Sequence, residues 1–171
     1  GLLTSKTRRP VRMTWNRSES LQAHIKRVPM VINYKSGAKK DGKLIAIEVT
    51  IYGDLGPYAS IGHFVVKKAV TPCTGPYYVP NIKADGYAVY TNNPRSGPMR
   101  GFGAIQAAFA YESQMDILAQ KSGISPLEIR KINALDVGLS TGTGQVLTNS
   151  VGIKATLDRI SEYVKESGIR L

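Results

Sequence analysis

The residues best placed to do chemistry in this 171-residue sequence are Arg100, Gly101, Phe102 and Gly103, in a turn running from Asn93 to Gln106. Pro94, Gly97 and Pro98 disfavour regular structure, so Arg100 to Gly103 is predicted to form a loop feeding a helix N-terminus. The first amides of a helix lack intrahelical partners and sit at the positive end of its dipole, which suits an anion or an oxo group. Gly101 and Gly103 have no Cβ, so the main chain there can approach a ligand closely or adopt φ > 0. Phe102 is apolar where the local pattern does not require it, and a ring presented at such a turn could stack on a flat ligand. The rival reading is an ordinary strand-to-helix turn. The dinucleotide fingerprint G-x-G-x-x-G is incomplete, because Gln106 stands where its third glycine belongs.

Other candidates are sparse. His24 lies near Lys26 and Arg27, and His63 falls in the loop-rich stretch 53–79. They share no metal-ligand spacing and read as surface or packing histidines. Cys73, beside Pro72, has no neighbouring His or basic pair to activate it, and reads as a buried small residue. A standalone enzyme built on Cys73 is the weaker alternative. Glu19, the only carboxylate besides Asp41 in the first 43 residues, reads as an ion-pair partner. No catalytic residue and no metal ligand is therefore assigned, and a complete active site is not expected within the chain.

The elements that must position the loop follow from length and pattern. At 171 residues the chain suits one domain with a sizeable core. No apolar run approaches the roughly 18 residues of a membrane span, and the first residues lack the apolar core of a signal peptide. The chain starts at Gly1 and reads as a processed product or a piece of something longer. A single cysteine excludes an internal disulfide and a cysteine-cluster metal site, and it fits a reducing, cytoplasmic compartment. The net charge is +11, and eleven Lys/Arg residues precede residue 44. Such an arm suits nucleic acid, anionic lipid, an acidic partner or the rest of a larger protein. No nucleic-acid motif accompanies it, so nucleic acid is the lesser expectation.

Residues 1–9 read as the tail of a preceding element. Pro10 to Trp15 alternates as a strand, with Val11, Met13 and Trp15 on one side. Met30–Tyr34 and Lys43–Tyr52 are predicted to form a hairpin around the Asp41-Gly42 turn, with Ile45, Ile47, Val49 and Ile51 on one face. Ser60 to Val70 could hold a short helix, and Asn81–Thr91 is a further strand leading into the glycine turn. A helix follows over Ala104–Gln120, turning Ala104, Ala108, Tyr111, Met115 and Leu118 inward and Gln106, Ser113, Asp116 and Gln120 outward. The next starts with Ser125 as N-cap, Pro126 at the first position and Glu128 completing a capping box, and it carries Leu127, Ile129, Ile132 and Leu135 inward. Residues 139–150 form a Gly/Thr linker before a last helix ending at Gly168. The expected fold class is α+β, a two-layer sandwich whose mixed or antiparallel sheet, with its hairpin, packs against about three helices.

Several of these segments share a family likeness. Arg9-Pro10-Val11-Arg12 and Asn16-Arg17-Ser18-Glu19 resemble the R-P-V-R/K and D/N-R-x-E segments of the molybdenum-binding subunits of xanthine dehydrogenases and aldehyde oxidases. Tyr77-Tyr78-Val79-Pro80-Asn81-Ile82, Thr91-Asn92-Asn93-Pro94 and Met99-Arg100-Gly101-Phe102-Gly103-Ala104-Ile105-Gln106 resemble that family's Y-x-V/I-P-N-V/I, T-N-x-P and F/M-R-G-F-G-x-x-Q. Glu128-Ile129-Arg130-Lys131-Ile132-Asn133 resembles its E-V/I-R-x-x-N helix, and Gly144 to Leu147 fits the linker after it. The likeness runs in register from about Thr7 to Lys165, so it is far more specific than the glycine turn alone.

The resemblance implies that residues 1–171 are one unit of a larger molybdopterin-binding domain. Arg100, Gly101, Phe102 and Gly103 would contact the molybdenum–molybdopterin cofactor, in a plain or dinucleotide form, and Phe102 would pack on the substrate. The implied reaction is oxidative hydroxylation of an aldehyde or N-heterocycle, with iron–sulfur clusters and FAD on other domains or subunits as partners. A G-F-G-G-K segment would precede Gly1 and the catalytic glutamate would lie beyond Leu171, so the isolated chain is expected to be inactive. Lys67 or Lys68 falls near the xanthine branch's substrate arginine, which puts xanthine in doubt, and the loop lacks the cysteine that marks carbon monoxide dehydrogenases. The alternative function is a basic, non-catalytic binding module for nucleic acid or an acidic protein.

Overall fold

The computed structural model describes residues 1–168; the expected domain bound at Leu171 lies outside them. The central feature is the predicted hairpin, longer than expected at both ends. Strand β2 (Met30–Ala38) pairs antiparallel with β3 (Leu44–Gly56), in register from Met30↔Gly53 to Gly37↔Ala46. Its turn is closed by the Lys39 N–H donating to the Lys43 carbonyl at 2.9 Å, and the Asp41 carboxylate accepts from the Lys43 N–H at 3.0 Å. Helix α3 (Gly62–Val70) then crosses over to β4 (Asn81–Tyr90), which runs parallel to β3. The sheet is thus mixed, with order β2-β3-β4, and the fold is α+β as expected.

The alternating apolar residues of β3 bury Ile47, Val49 and Ile51 beneath the helices, together with Val66, Ala69, Met115 and Ile129. Helix α3 covers β3 and β4, α4 (Ala104–Ser122) covers β2, and α5 (Pro126–Asn133) packs on α4. Helix α6 (Ile153–Ser167) touches α5 and buries only Leu157. Between them, residues 138–147 close a tight turn in which the Thr141 and Leu147 N–H groups donate to the Gln145 and Leu139 carbonyls at 2.9 Å. The Asn133 side chain ties α5 to the hairpin: its oxygen accepts from the Leu44 N–H at 2.8 Å, and its nitrogen donates to the Gly42 and Ile129 carbonyls at 2.9 and 2.8 Å.

Several expectations are corrected. Pro10–Trp15 is not a strand: among the described residues no neighbour offers it a ladder, and Val11, Met13 and Trp15 are exposed. Two short helices flank it instead, α1 (Leu2–Thr7) and α2 (Arg17–Ala23), and neither buries a residue. Glu19 makes no ion pair among the described residues. It closes a capping box, accepting from the Asn16 N–H at 2.8 Å while Asn16 accepts from the Glu19 N–H at 2.9 Å. Ile45 points outward at 41% exposure because a bulge opposite Gly37/Ala38 breaks the alternation and sends Leu44 inward. At α5, Ser125 caps the Glu128 N–H at 3.1 Å, but the reciprocal bond is not formed, and Ile132 is 37% exposed.

Candidate functional site

The loop from Thr91 to Gly103 is held at four points. The first is Asp54, at the end of β3. Its carboxylate accepts from the Thr91 hydroxyl at 2.5 Å, the Gly56 N–H at 2.9 Å and the Asn93 amide, and its carbonyl accepts from the Ser96 hydroxyl. These hydrogen bonds, from Thr91 first and then Asn93 and Gly56, hold the Asp54 carboxyl below the usual carboxylate range. The T-N-x-P segment is therefore a fastening. The second point is a two-residue parallel pairing between β1 (Lys26–Arg27) and β5 (Ser96–Gly97).

Gly103 is the third point. It has φ +98°, and a Cβ built on it would come within 2.2 Å of the Val65 carbonyl oxygen in α3. Gln106 is the fourth. Its side-chain nitrogen donates to the Val28 carbonyl at 3.1 Å, so the residue expected on the outer, polar face of α4 is drawn inward to brace the loop.

Between these fastenings Met99, Arg100 and Gly101 are exposed and Phe102 is half-buried. The Phe102 N–H donates to the Met99 carbonyl at 2.8 Å, and the Ala104 N–H to the Gly101 carbonyl at 2.9 Å. The amides of Arg100 and Gly101 have no acceptor among the described residues, and no side chain caps α4. Gly101, Phe102 and Gly103 all take positive φ, at 96°, 48° and 98°. A non-glycine residue there is strained by about 1 kcal/mol, and the Phe102 ring, packed against the cluster of Val28, Leu55 and Val65, holds it. The result is a pre-organised donor rim with a ring at its edge.

The remaining candidates lie elsewhere. Cys73 is buried, and burial pushes its thiol pKa up, the wrong direction for a nucleophile. His24 is exposed, with Nδ1 2.9 Å from the Ile25 carbonyl oxygen, and His63 lies exposed against Phe64 with ring centroids 4.2 Å apart. Lys67 and Lys68 are exposed on α3, where Lys67 and His63 border an open groove of about 590 Å³. Among the described residues no three His, Cys, Asp or Glu side chains gather to hold a metal. Asp54 and Gln106 are the positioning residues that pattern reading missed. For Asp54 the available signal was a carboxylate one residue from Leu55-Gly56 at a strand end, where Asx turns form.

The family model for the molybdopterin cofactor-binding domain matches residues 1–134. The chain is 48% identical over 165 residues to the nicotinate dehydrogenase large molybdopterin subunit of Eubacterium barkeri, covering 96% of this chain and 39% of that protein. It is 40% identical over 139 residues to the aldehyde oxidoreductase of Megalodesulfovibrio gigas, covering 81% of this chain and 15% of that one. The crystal structure of the aldehyde oxidoreductase from Desulfovibrio desulfuricans superposes on 98% of this chain, and 18% of its own, with a TM-score of 0.90 at 29% identity. The chain thus spans well under half the length of these relatives.

Proposed function

Because this chain belongs to the molybdopterin cofactor-binding domain family, we propose that it forms one wall of the molybdenum site in a larger hydroxylase of the xanthine dehydrogenase and aldehyde oxidase type. The observation that carries the reading is the braced loop Arg100–Gly103 at a helix N-terminus, where the exposed Arg100 and Gly101 have amides with no acceptor among the described residues. Such donors suit the oxo groups and phosphates of a molybdenum cofactor. When bound, that cofactor supplies the redox centre for hydroxylation, in which a C–H bond and water become C–OH, two protons and two electrons. The chain's own residues bind and orient. The main chain of Arg100, Gly101 and Gly103 holds the cofactor, and Phe102 offers a ring edge to an aldehyde or N-heterocyclic substrate. Electrons leave through iron–sulfur and flavin centres on partner domains or subunits, and the remainder of the molybdenum-binding polypeptide supplies the catalytic base.

The basic arm then serves as a surface toward those partners. Similarity over 96% of this chain to a part of a nicotinate dehydrogenase subunit supports this reading over a free binding module. The test is metal analysis, with aldehyde and nicotinate turnover, on the assembly purified around this chain. About one molybdenum per chain and turnover of either substrate class is the expected result. A metal-free, inactive assembly sinks the proposal. No helix among the described residues is long and apolar enough to cross a membrane.

A further inference from the structure

Two buried side-chain atoms have no hydrogen-bond partner among the described residues: a terminal guanidinium nitrogen of Arg27 and the side-chain oxygen of Gln106. Both residues line one open groove of about 580 Å³, between the outer flank of α4 and strand β2. A buried donor and a buried acceptor left unpaired are costly, and although both atoms are shielded from the groove as it stands, a turn of either flexible side chain would bring it to a group there that carries both an acceptor and a donor. A peptide unit is such a group.

The groove wall says how that peptide runs. Among the described residues β2 pairs on one side only, with β3. The Asp54 N–H donates to the Pro29 carbonyl at 3.0 Å, so the register places Val31 and Asn33 in the hydrogen-bonded pairs with β3. The N–H and C=O groups of Ile32 and Tyr34 consequently point away from β3, to the open edge, and both residues line the groove. A nine-residue edge strand left unpaired is a template for another strand. Above it, α4 presents Ile105 and Phe109 at 48% and 79% exposure, an apolar roof under which such a strand would bury alternate side chains.

We infer that β2 is an internal strand in the assembled protein: an extended segment of the remaining molybdenum-binding polypeptide joins its open edge. That segment's main chain pairs with Ile32 and Tyr34 and satisfies Arg27 and Gln106. The inference rests on the proposed function only in taking a larger cofactor-binding polypeptide as the source of the segment, since the chain spans 39% of the nicotinate dehydrogenase subunit. Because Gln106 also braces the Arg100–Gly103 loop through Val28, strand addition would lock the site as the enzyme assembles.

The test is hydrogen–deuterium exchange on the assembly that contains this chain, set against the chain alone, with R27M run in parallel and molybdenum measured on the same sample. Peptides covering 30–36 and 105–114 should exchange about tenfold or more slowly in the assembly, and R27M should weaken assembly about tenfold without lowering the melting temperature of the chain alone. Protection of 105–114 without 30–36 puts something other than a strand in the groove and overturns the inference, as does unchanged exchange in both. A loss of melting temperature in the R27M chain alone, matching its assembly defect, makes Arg27 a fold residue and overturns it too. Molybdenum present with an unprotected groove sinks this inference alone. A protected groove in a metal-free assembly upholds it and sinks the molybdenum reading.

Discussion

Gly103 rests on the backbone of Val65, so closely that a Cβ would stand 2.2 Å from the Val65 carbonyl oxygen and 3.1 Å from the Ala69 nitrogen. Neither atom is the end of a flexible side chain, so α3 and α4 would have to part. At Gly101 the same atom meets the Ile105 side chain at 2.7 Å, which can turn aside. Gly103→Ala should therefore cost about 3 kcal/mol and Gly101→Ala about 1 kcal/mol, the latter from its positive φ alone. Urea melts of the two variants decide it. Equal losses would mean that φ, and not the contact with α3, fixes Gly103.

A second prediction concerns Asn133, buried at 3% exposure with three hydrogen bonds into the hairpin and its own helix. Asn133→Ala strands the Leu44 amide and the Gly42 carbonyl and should lower stability by about 3 kcal/mol. Asn133→Leu should be no better, because the lost partners matter more than the volume. Chemical denaturation compares them, and a well-tolerated N133L would show that packing carries the contact.

These two residues mark what sequence could and could not say. The hairpin, α4 and α5 were legible because period-two and helical patterns, a turn pair and an N-cap act over short range. The loop's exposure and glycine conformations were legible for the same reason. Pro10–Trp15 misled because alternation describes a strand only when a neighbour supplies the ladder, and none of the described residues does. Asp54 and Gln106 hold the loop through partners far along the chain, Thr91 for Asp54 and Val28 for Gln106. No local pattern contains such pairs.

Asp54 gives a pH dependence. Its hydrogen bonds depress the folded-state pKa below the unfolded value, so its stabilising effect is complete above about pH 4 and fades as pH falls through the folded value. Glu48 and Asp136 are depressed too, by Lys83 and Lys35 and by Lys154 respectively, so the wild-type curve mixes all three. Asp54→Asn isolates one. Its stability deficit against wild type should be largest near neutrality and shrink towards pH 2. Urea midpoints across that range measure it, and a deficit that stays constant would mean that the Asp54 charge plays no part in holding the loop.

The last prediction separates main chain from side chain at the loop itself. If Arg100 serves through its backbone amide, Arg100→Ala should keep the molybdenum content of the assembled enzyme within about twofold, because the exposed guanidinium makes no hydrogen bond or ion pair among the described residues. Phe102 is different on both counts. Its ring packs on Val28, Leu55 and Val65, so Phe102→Ala should cost about 1–2 kcal/mol of stability, less than a fully buried phenylalanine because the ring is only half-covered. It should also raise KM about tenfold, the equivalent of roughly 1.4 kcal/mol, if the exposed edge meets a flat substrate. Phe102→Leu keeps most of the packing and loses the aromatic face, so it should recover the stability and not the KM. Thermal melts, metal analysis and steady-state kinetics on the same three variants give the answer. Should F102L restore KM as well, the ring is a packing element only, and substrate contact must come from the rest of the enzyme.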